Sequence, residues 1–341
     1  MKKLESLGLK RDESGKIFVL DQTQLPDDQN WIKADSVDEM VDIIFHLKTR
    51  GAPLIGVAAA LSLAKFMETK PGEKEFFQAA HKLRNSRPTA VNLMNALDRM
   101  IDTATKSSFE SEAVMQTAEE IFTEDVELCD RMANLGAELI KDGENILTHC
   151  NTGGLATVGV GTALGVIRRA HEQGKKIHVF VDETRPLLQG GRLTTWELHQ
   201  LGIPYTLICD NMAAHLMKEG RVQRIFVGSD RVARNGDFAN KIGTYSLAVN
   251  AEYHKVDFHP VAPRTTIDMK CDSGREIPIE ERASFEVQGV RGSFGECRWA
   301  PQAAKTFNPA FDVTPSKLVT SFVFDHGVFD AKQLSTGAFL D

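Results

Sequence analysis

The chain has 341 residues, of which 42% are apolar and 26% are charged, and its formal net charge is −7. A chain of this length is too long for one small core and is expected to form one large or two modest domains. Its mixed charges with an acidic excess argue against nucleic-acid binding, because such proteins carry a basic face. The five cysteines are scattered without CxxC spacing, which argues against a disulfide framework or a zinc site and fits a reducing compartment.

The sequence contains no obvious targeting or membrane segment. Its first residues, MKKLESLGLKRDESGK, lack the apolar run of a signal peptide. No later stretch approaches the roughly 20 apolar residues that a membrane span needs. We therefore expect a cytoplasmic protein that contacts no membrane.

The first third of the chain is predicted to be mainly helical. One alternating stretch at residues 16–21 predicts a short β segment, and the segments that follow have the apolar spacing of helices. Ser36, with acidic residues in the next turn, predicts a helix start, and Pro53 suits a first helical position. The predicted helices cover residues 36–47, 53–67, 71–83, 90–105 and 111–140. We predict a mainly helical N-terminal domain over residues 1–125.

From residue 144 onward the pattern changes to strands that alternate with helices. The predicted strands are NILTHC, IHVFVDE, IPYTLICD, RIFVGSD, DFHPVAP and LVTSFVFD. The predicted helices between them cover residues 155–172, 196–201, 213–218 and 242–253. This alternation predicts an α/β fold, a Rossmann-like doubly wound parallel sheet with helices on both faces, in a C-terminal domain over residues 126–341.

Polar residues follow five of the predicted strands. In a doubly wound sheet, ligands bind outside the carboxyl ends of the strands. Turn-forming residues are also common at strand ends, so no single position identifies a site. The strand ends read Cys150-Asn151, Asp182-Glu183, Cys209-Asp210, Asp230-Arg231 and Asp325-His326.

Cys150 lies where a predicted strand runs into a glycine-rich turn and a helix, whose first amides would suit an anion. The later glycines Gly159, Gly161 and Gly165 resemble a dinucleotide fingerprint, but we expect them inside the helix, which argues against nucleotide binding. A cysteine here is otherwise a small core residue. His149 is not expected to be its base, because successive strand side chains point to opposite faces.

Asp230 ends another predicted strand, in VGSDRVARNGDFANKIGT. An Asn-Gly turn follows, and Asn240-Lys241 is predicted to open the next helix. A carboxyl, an amide and an ammonium in one loop suit proton transfer beside a phosphorylated or polyhydroxy ligand. The alternative is an ordinary turn beside a solvated Lys241.

Three further segments carry basic or polar side chains in glycine- or proline-rich contexts. Arg50-Gly51-Ala52 precedes the predicted helix at Pro53, Arg87 lies in SRPT, and Gln189 lies in TRPLLQGGR. Each arginine alone is typical of a surface ion pair. Together these segments indicate binding of one phosphate with a hydroxylated body.

Six segments of the chain carry a resemblance to a known family: RGAPLIGVAAA, ILTHCNTGGLAT, DETRPLLQGGRLTTWEL, GSDRVARNGDFANKIGT, IPIEER and NPAFDVTP. Through them the chain resembles, in consistent order over nearly all of residues 36–330, the S-methyl-5-thioribose-1-phosphate isomerase family of methionine salvage. The resemblance implies conversion of methylthioribose 1-phosphate to methylthioribulose 1-phosphate without a metal or organic cofactor. It also implies a two-domain homodimer with a Rossmann-like C-terminal half.

The same resemblance assigns catalytic roles to Cys150 and Asp230. A sugar phosphorylated on its anomeric oxygen cannot open its ring by losing an anomeric proton. Asp230, kept protonated by apolar surroundings, would therefore protonate the ring oxygen. Cys150 would be the second proton-transfer group while hydrogen moves from C2 to C1. The implied substrate contacts are Arg50, Gly51, Ala52, Arg87, Gln189, Asn240 and Lys241.

Two alternatives remain open at this point. Isomerases of 5-deoxyribose 1-phosphate or ribose 1,5-bisphosphate share the cysteine and the aspartate, and differ in the C5 substituent of the substrate. Regulatory subunits of the exchange factor for translation initiation share the fold but lack the pair of cysteine and aspartate, and serve as binding modules.

Arg264 and Cys271 depart from the expected family pattern, and Cys209 and Cys297 have no assigned role. An Arg264 that points into the site would favour a more anionic substrate.

Overall fold

The computed structural model describes residues 2–87 and 90–340, which form two compact units. The N-terminal unit contains the chain up to Gln24, then Asp28–Leu128 and Gly154–Gly159. The C-terminal unit contains Leu25–Asp27, Cys129–Gly153 and the chain from Val160 onward. The main division falls between Leu128 and Cys129, inside one long helix, and the domain boundary at residues 125/126 stays a prediction.

The N-terminal unit begins with a four-stranded antiparallel sheet whose strands follow sequence order. Its strands are β1 (Leu4–Glu5), β2 (Leu9–Arg11), β3 (Ile17–Leu20) and β4 (Trp31–Lys33). The sequence predicted only the segment that became β3. The other strands have two or three residues, too few to display an alternating pattern.

Five helices follow, and all five were predicted to within three residues at each end. They are α1 (Val37–Phe45), α2 (Ala52–Phe66), α3 (Glu73–Ser86), α4 (Val91–Lys106) and α5 (Ser111–Ala137). Ser36 caps α1 as predicted, since its hydroxyl accepts from the Glu39 amide while the Glu39 carboxylate accepts from the Ser36 amide. Helix α2 is buried from Leu54 to Ala64 and forms the centre of this unit's core.

By length and composition alone, one helical stretch of the described chain, Ala52–Thr69, could cross a membrane. It is α2 with its short extension, and 67% of it is buried inside the structure. A core helix of a soluble domain passes the same test, because burial in protein selects the same apolar residues as burial in lipid.

The C-terminal unit contains the remaining strands and helices. Its strands are β5 (Asn145–Thr148), β6 (His178–Asp182), β7 (Tyr205–Ile208), β8 (Arg224–Val227), β9 (Arg231–Ala233), β10 (Phe238–Lys241), β11 (Asp257–Pro260), β12 (Ile267–Asp268), β13 (Gly289–Gly292), β14 (Gly295–Arg298), β15 (Phe311–Thr314), β16 (Ser321–Phe324) and β17 (Gly327–Asp330). Its helices are α6 (Ala163–Glu172), α7 (Thr195–Gln200), α8 (Ala213–Lys218), α9 (Thr244–His254), α10 (Ser284–Gln288) and α11 (Ala331–Thr336).

The predicted parallel sheet is confirmed, with five strands in the order β11-β8-β5-β6-β7. The chain starts at the central strand β5, fills one side with β6 and β7, and then crosses to β8 and β11 on the other side. The direction of winding therefore reverses between β5 and β8. In folds of this kind a crevice opens at the reversal, beyond the carboxyl ends of the two strands.

One predicted helix start is wrong, and the Asn240-Lys241 pair predicted to open a second helix belongs to a strand. The helix expected from residue 155 begins only at Ala163, so Gly159 and Gly161 lie in the loop before it and only Gly165 is helical. The helix expected from residue 242 begins at Thr244, because Asn240-Lys241 continues strand β10. Strands β9 and β10 form an antiparallel hairpin in a second sheet of order β12-β9-β10-β15. Pairing with neighbouring strands thus gives Asn240-Lys241 an extended conformation, where the local pattern favoured a loop and a helix start.

We expect the buried Asp125 to make the stability of the N-terminal unit depend on pH. Its carboxylate accepts from the Val158 amide at 2.8 Å, and burial raises its pKa to about 6 although the backbone amides of Val158 and Gly159 act to lower it. The folded state therefore binds this proton more tightly than the unfolded chain, so stability falls as pH rises from about 4 to about 6. The corresponding free energy is about 3 kcal/mol.

Asp125→Asn lacks this titration. Relative to the variant, the wild type should lose up to about 3 kcal/mol of unfolding free energy between pH 4 and pH 7, measured by denaturant unfolding at each pH. Asp102→Asn, which changes an exposed carboxyl on α4, is the control and should track the wild type. A constant difference between wild type and Asp125→Asn across this range would contradict the prediction.

Candidate active site

Cys150 is held in an unusual backbone conformation two residues beyond the end of β5. Its φ of 66° lies in the left-handed region, which costs a residue with a Cβ roughly 1–2 kcal/mol. Its amide donates to Thr184 Oγ1 at 2.8 Å, and its carbonyl accepts from Thr194 Oγ1 at 2.6 Å. The residue is 6% exposed. Strain that is held by hydrogen bonds on both sides is typical of functional positions.

Thr184, which accepts from the Cys150 amide, is itself held by Asp210 at the end of the next strand, β7. Thr184 follows β6, and the amides of Thr184 and Arg185 each donate to one oxygen of Asp210 at 2.7 Å. Asp210 follows β7, so three adjacent strand ends are linked in series. Thr184 and Thr194 were not among the residues predicted from the sequence to form the site. Their one signal was their place in the motif DETRPLLQGGRLTTWEL.

Gln189 is placed near the end of β6 by a close backbone approach. A Cβ on the next residue, Gly190, would lie 1.8 Å from the Asp182 carbonyl oxygen, so only glycine fits there. Gly190 begins a single π turn that leads into α7. Gln189 is 4% exposed, and its Oε1 has no hydrogen-bond partner among the described residues. A buried amide oxygen in this state is available to a ligand hydroxyl or amine.

Asp230 lies between β8 and β9, half-buried, and its amide donates to the Ala239 carbonyl at 2.9 Å. Arg231 pairs with Ala239 in the antiparallel hairpin. One further step of the same register brings Asp230 alongside Asn240. The carboxyl and the amide predicted to act together are therefore neighbours across two strands.

Asn240 and Lys241 are both buried in β10, at 3% and 8% exposure. Asn240 Nδ2 donates to Thr244 Oγ1 at 2.9 Å. Lys241 Nζ donates to the Ala310 carbonyl at 2.7 Å and lies 4.3 Å from the centre of the Phe311 ring. The alternative of a solvated Lys241 is therefore wrong. An ammonium at this depth is a strong point charge for an anion.

The segments that carry Cys150 and Asp230 contact each other. Their strands β5 and β8 pair in parallel, with Thr148 opposite Phe226. Beyond the strand ends, a Cβ on Gly228 would come within 2.7 Å of Thr152 Cγ2. Both candidate catalytic residues thus lie at the point where the sheet reverses its winding.

His149, next to Cys150, has both ring nitrogens engaged. Nδ1 lies 2.9 Å from Asp182 Oδ2, and Nε2 lies 2.9 Å from the Ile242 carbonyl oxygen. The side chains of His149 and Asp182 are each 1% exposed. Burial acts to lower the pKa of His149, but the hydrogen bond and charge of Asp182 prevail and raise it. Burial raises the pKa of Asp182 to about 6, against the opposing effect of His149. His149 is thus occupied and does not serve Cys150 as a base.

His149, Asp182 and Asp210 lie close enough together to hold a metal ion. Among the described residues they are the one such group of histidine, cysteine and acidic side chains. The two ring nitrogens and both Asp210 oxygens already have protein hydrogen-bond partners. A metal would have to replace those bonds. The expectation of an isomerase without metal or cofactor stays a prediction.

Four of the predicted substrate contacts belong to the N-terminal unit. Arg50 precedes Gly51, which is the N-cap of α2, and Ala52 is the first helical residue. Gly51 has φ 96°, and a Cβ there would lie 2.4 Å from the Ala156 carbonyl oxygen. Arg87 ends α3. Pro88 and Thr89, in the same predicted segment, lie outside the described residues.

The residues that departed from the family pattern have ordinary surroundings. Arg264 is exposed, and its amide donates to Asp325 Oδ1 at 2.6 Å. Cys271 is buried in a small apolar cluster with Ala233, Ala239 and Ile277, and burial raises its pKa. Cys209 and Cys297 are exposed.

Comparison with known proteins gives one consistent result. The model of the initiation factor 2 subunit family matches residues 48–331. The methylthioribose-1-phosphate isomerase of Serratia proteamaculans (strain 568) is 56% identical over 324 residues, which cover 95% of this chain and 94% of the relative. That of Klebsiella pneumoniae (strain 342) is 54% identical over 339 residues, which cover 99% of this chain and 98% of the relative.

The similar solved structures include an isomerase and a protein named as a translation factor. The 5-methylthioribose 1-phosphate isomerase of Pyrococcus horikoshii OT3 superposes with a TM-score of 0.88 at 42% identity, covering 98% of this chain and 96% of that chain. A structure from A. fulgidus, described as the translation initiation factor eIF-2B subunit delta, has a TM-score of 0.82 at 38% identity, with 98% and 99% coverage. The chain therefore belongs to the initiation factor 2 subunit family and, within it, to the methylthioribose-1-phosphate isomerases.

Proposed function

We propose that the chain isomerises methylthioribose 1-phosphate to methylthioribulose 1-phosphate in cytoplasmic methionine salvage, with Cys150 and Asp230 as its catalytic groups. The observation that carries this assignment is the position of both residues beyond β5 and β8, the two strands at which the sheet reverses. The strained and doubly held backbone of Cys150 supports a functional role for the thiol.

The reaction requires one proton to reach the ring oxygen and one to leave the C2 hydroxyl, while a hydrogen passes from C2 to C1. Asp230 donates the first proton, which lets the bond between C1 and the ring oxygen break. Cys150 is the second proton-transfer group on the opened chain. Each positioned acid or base contributes about 10²–10⁴-fold to the rate, so the two act together.

The proposed substrate contacts differ in the chemical group of the substrate that each one suits. Lys241 offers a buried ammonium for the phosphate or for developing negative charge, and Asn240 lies beside Asp230. The Gln189 Oε1, which has no hydrogen-bond partner within the described part of the chain, suits a sugar hydroxyl. Arg50, with the amides at Gly51 and Ala52, suits the phosphate as a helix N-terminus does, and Arg87 provides a further guanidinium.

A regulatory binding subunit is the competing function, because the A. fulgidus structure carries a translation-factor name at 38% identity. A binding module has no need for a cysteine kept in a strained conformation by two threonines. The held thiol therefore favours the enzyme.

We expect Cys150→Ala and Asp230→Asn each to lower kcat by about 10²–10⁴-fold, because each removes one proton-transfer group. The measurement is turnover of methylthioribose 1-phosphate, with circular dichroism to verify the fold. Cys209→Ser, at the exposed end of β7, is the matched control and should keep wild-type activity. Near-normal turnover in Cys150→Ala or Asp230→Asn would remove that residue from the mechanism.

The substrate should be identified by its C5 substituent. We expect kcat/KM to rank methylthioribose 1-phosphate first, 5-deoxyribose 1-phosphate second and ribose 1,5-bisphosphate last. Losing an apolar substituent costs roughly 10–200-fold, whereas a second phosphate needs cations to receive it. A preference for the bisphosphate would overturn the assignment, and turnover of none of the three would favour the binding module.

We also assign the chain to homodimers. Helix α9 exposes Tyr245, Val249 and Tyr253 at four-residue spacing, 46%, 42% and 80% exposed, which forms an apolar stripe on one helix face. Light scattering should give twice the chain mass for the wild type and the chain mass for Val249→Glu, which places a charge in the middle of the stripe. Phe307→Glu, which changes an exposed ring elsewhere, should remain dimeric. A dimeric Val249→Glu would exclude this face, and a monomeric wild type would exclude the dimer.

A further inference from the structure

His149 and Asp182 form a buried pair of titratable side chains at the strand ends, and the proposed chemistry does not use them. Both side chains are 1% exposed. Asp182 is the last residue of β6, and its other oxygen, Oδ1, has no hydrogen-bond partner among the described residues. Burying such a pair costs free energy unless its hydrogen bonds are well made. Its position therefore needs an explanation.

The hydrogen bonds of the His149 ring connect two parts of the site. Its residue adjoins Cys150, and Ile242, whose carbonyl it contacts, adjoins Lys241. Because a carbonyl only accepts, Nε2 must carry a proton and donate it. One further proton then lies between Nδ1 and the Asp182 carboxyl. The imidazole is thus a bridge of fixed orientation from the end of β5 to the end of β10.

The backbone at Gly243, at the Ile242 end of this bridge, packs closely against the imidazole ring. A Cβ on Gly243 would lie 2.9 Å from His149 Cε1 and 3.1 Å from Nε2, so the backbone contacts the imidazole closely. The Gly243 and Tyr245 amides both donate to Asp312, which anchors the start of α9. The segment at which the bridge ends is therefore held by the Asp312 carboxylate.

The two segments that the bridge joins also have separate supports. Cys150 is held by Thr184 and Thr194, and Lys241 is held by the Ala310 carbonyl and the Phe311 ring. Loss of the bridge would leave each segment locally intact and would change the distance between them.

We propose that His149 is a positioning residue, aligned by Asp182, which sets the distance between Cys150 and Lys241 during isomerisation. This inference rests on the proposed catalytic role of Cys150. A displacement of about 1 Å between a catalytic group and bound substrate can lower a rate about 10²-fold. Substrate binding, which depends on the locally supported groups, should change little.

Two amide substitutions separate the bonds of the ring. Glutamine extends its amide to about the position of Nε2, so His149→Gln retains donation to the Ile242 carbonyl. Asparagine reaches only to about Nδ1, so His149→Asn retains the contact with Asp182 and loses the bridge. Asp182→Asn can donate to Nδ1 and thereby keep the proton on Nε2.

The experiment measures kcat and KM for methylthioribose 1-phosphate in the full-length chain. We expect His149→Asn to lower kcat about 100-fold with KM within threefold, and His149→Gln and Asp182→Asn to keep kcat within about fivefold. The rate at which iodoacetamide labels Cys150 should rise at least threefold in His149→Asn alone. His178→Asn, on the same sheet, is the control and should behave as the wild type.

Equal losses of kcat in His149→Asn and His149→Gln would overturn the proposal, since they would mean that the imidazole itself is required. Normal kcat in His149→Asn would overturn it as well. If His149→Asn does not fold, a kcat below one tenth of wild type in folded His149→Gln or Asp182→Asn overturns it, and retained kcat in both supports it. Full activity of Cys150→Ala would instead remove the proposed function on which this inference rests.

Discussion

The site depends on one constraint, the two hydrogen bonds that Thr184 and Thr194 make to the backbone of Cys150. They hold a residue with a Cβ in a left-handed conformation that it would not adopt alone. Without them the chain would leave β5 in an extended form, and the thiol would point elsewhere. Asp210 stabilises Thr184 in turn, so the geometry at β5 depends on the ends of β6 and β7.

The order of the sheet explains why the two candidate catalytic residues lie at one edge of it. Because β5 is central and β8 is its neighbour on the other side, residues about 80 positions apart in sequence emerge side by side. The β9–β10 hairpin then turns back and delivers Asn240 and Lys241 to the same edge. The buried Lys241 at this edge donates to the Ala310 carbonyl and lies against the Phe311 ring, and these contacts hold its ammonium in place.

The family contains proteins named as isomerases and proteins named as translation factors, and both superpose closely on this chain. A shared fold therefore does not separate the two functions. We propose that the distinction lies in side chains at the strand ends, and above all in the thiol of Cys150, whose backbone is held in a left-handed conformation. The same edge contains the His149–Asp182 pair, which links the ends of three strands without touching solvent.

The sequence by itself determined the helices α1 to α5, the parallel sheet and the strand-end positions of Cys150 and Asp230. These depend on local apolar periodicity and on the general rule that sites lie at carboxyl ends of parallel strands. Only the tertiary structure decided that Asn240-Lys241 is a buried strand, that α6 starts at Ala163, and that Thr184 and Thr194 hold the cysteine. These features depend on partners distant in the chain, such as Asp312 opposite Asn240 or Thr184 for Cys150, and a local pattern contains no information about such partners.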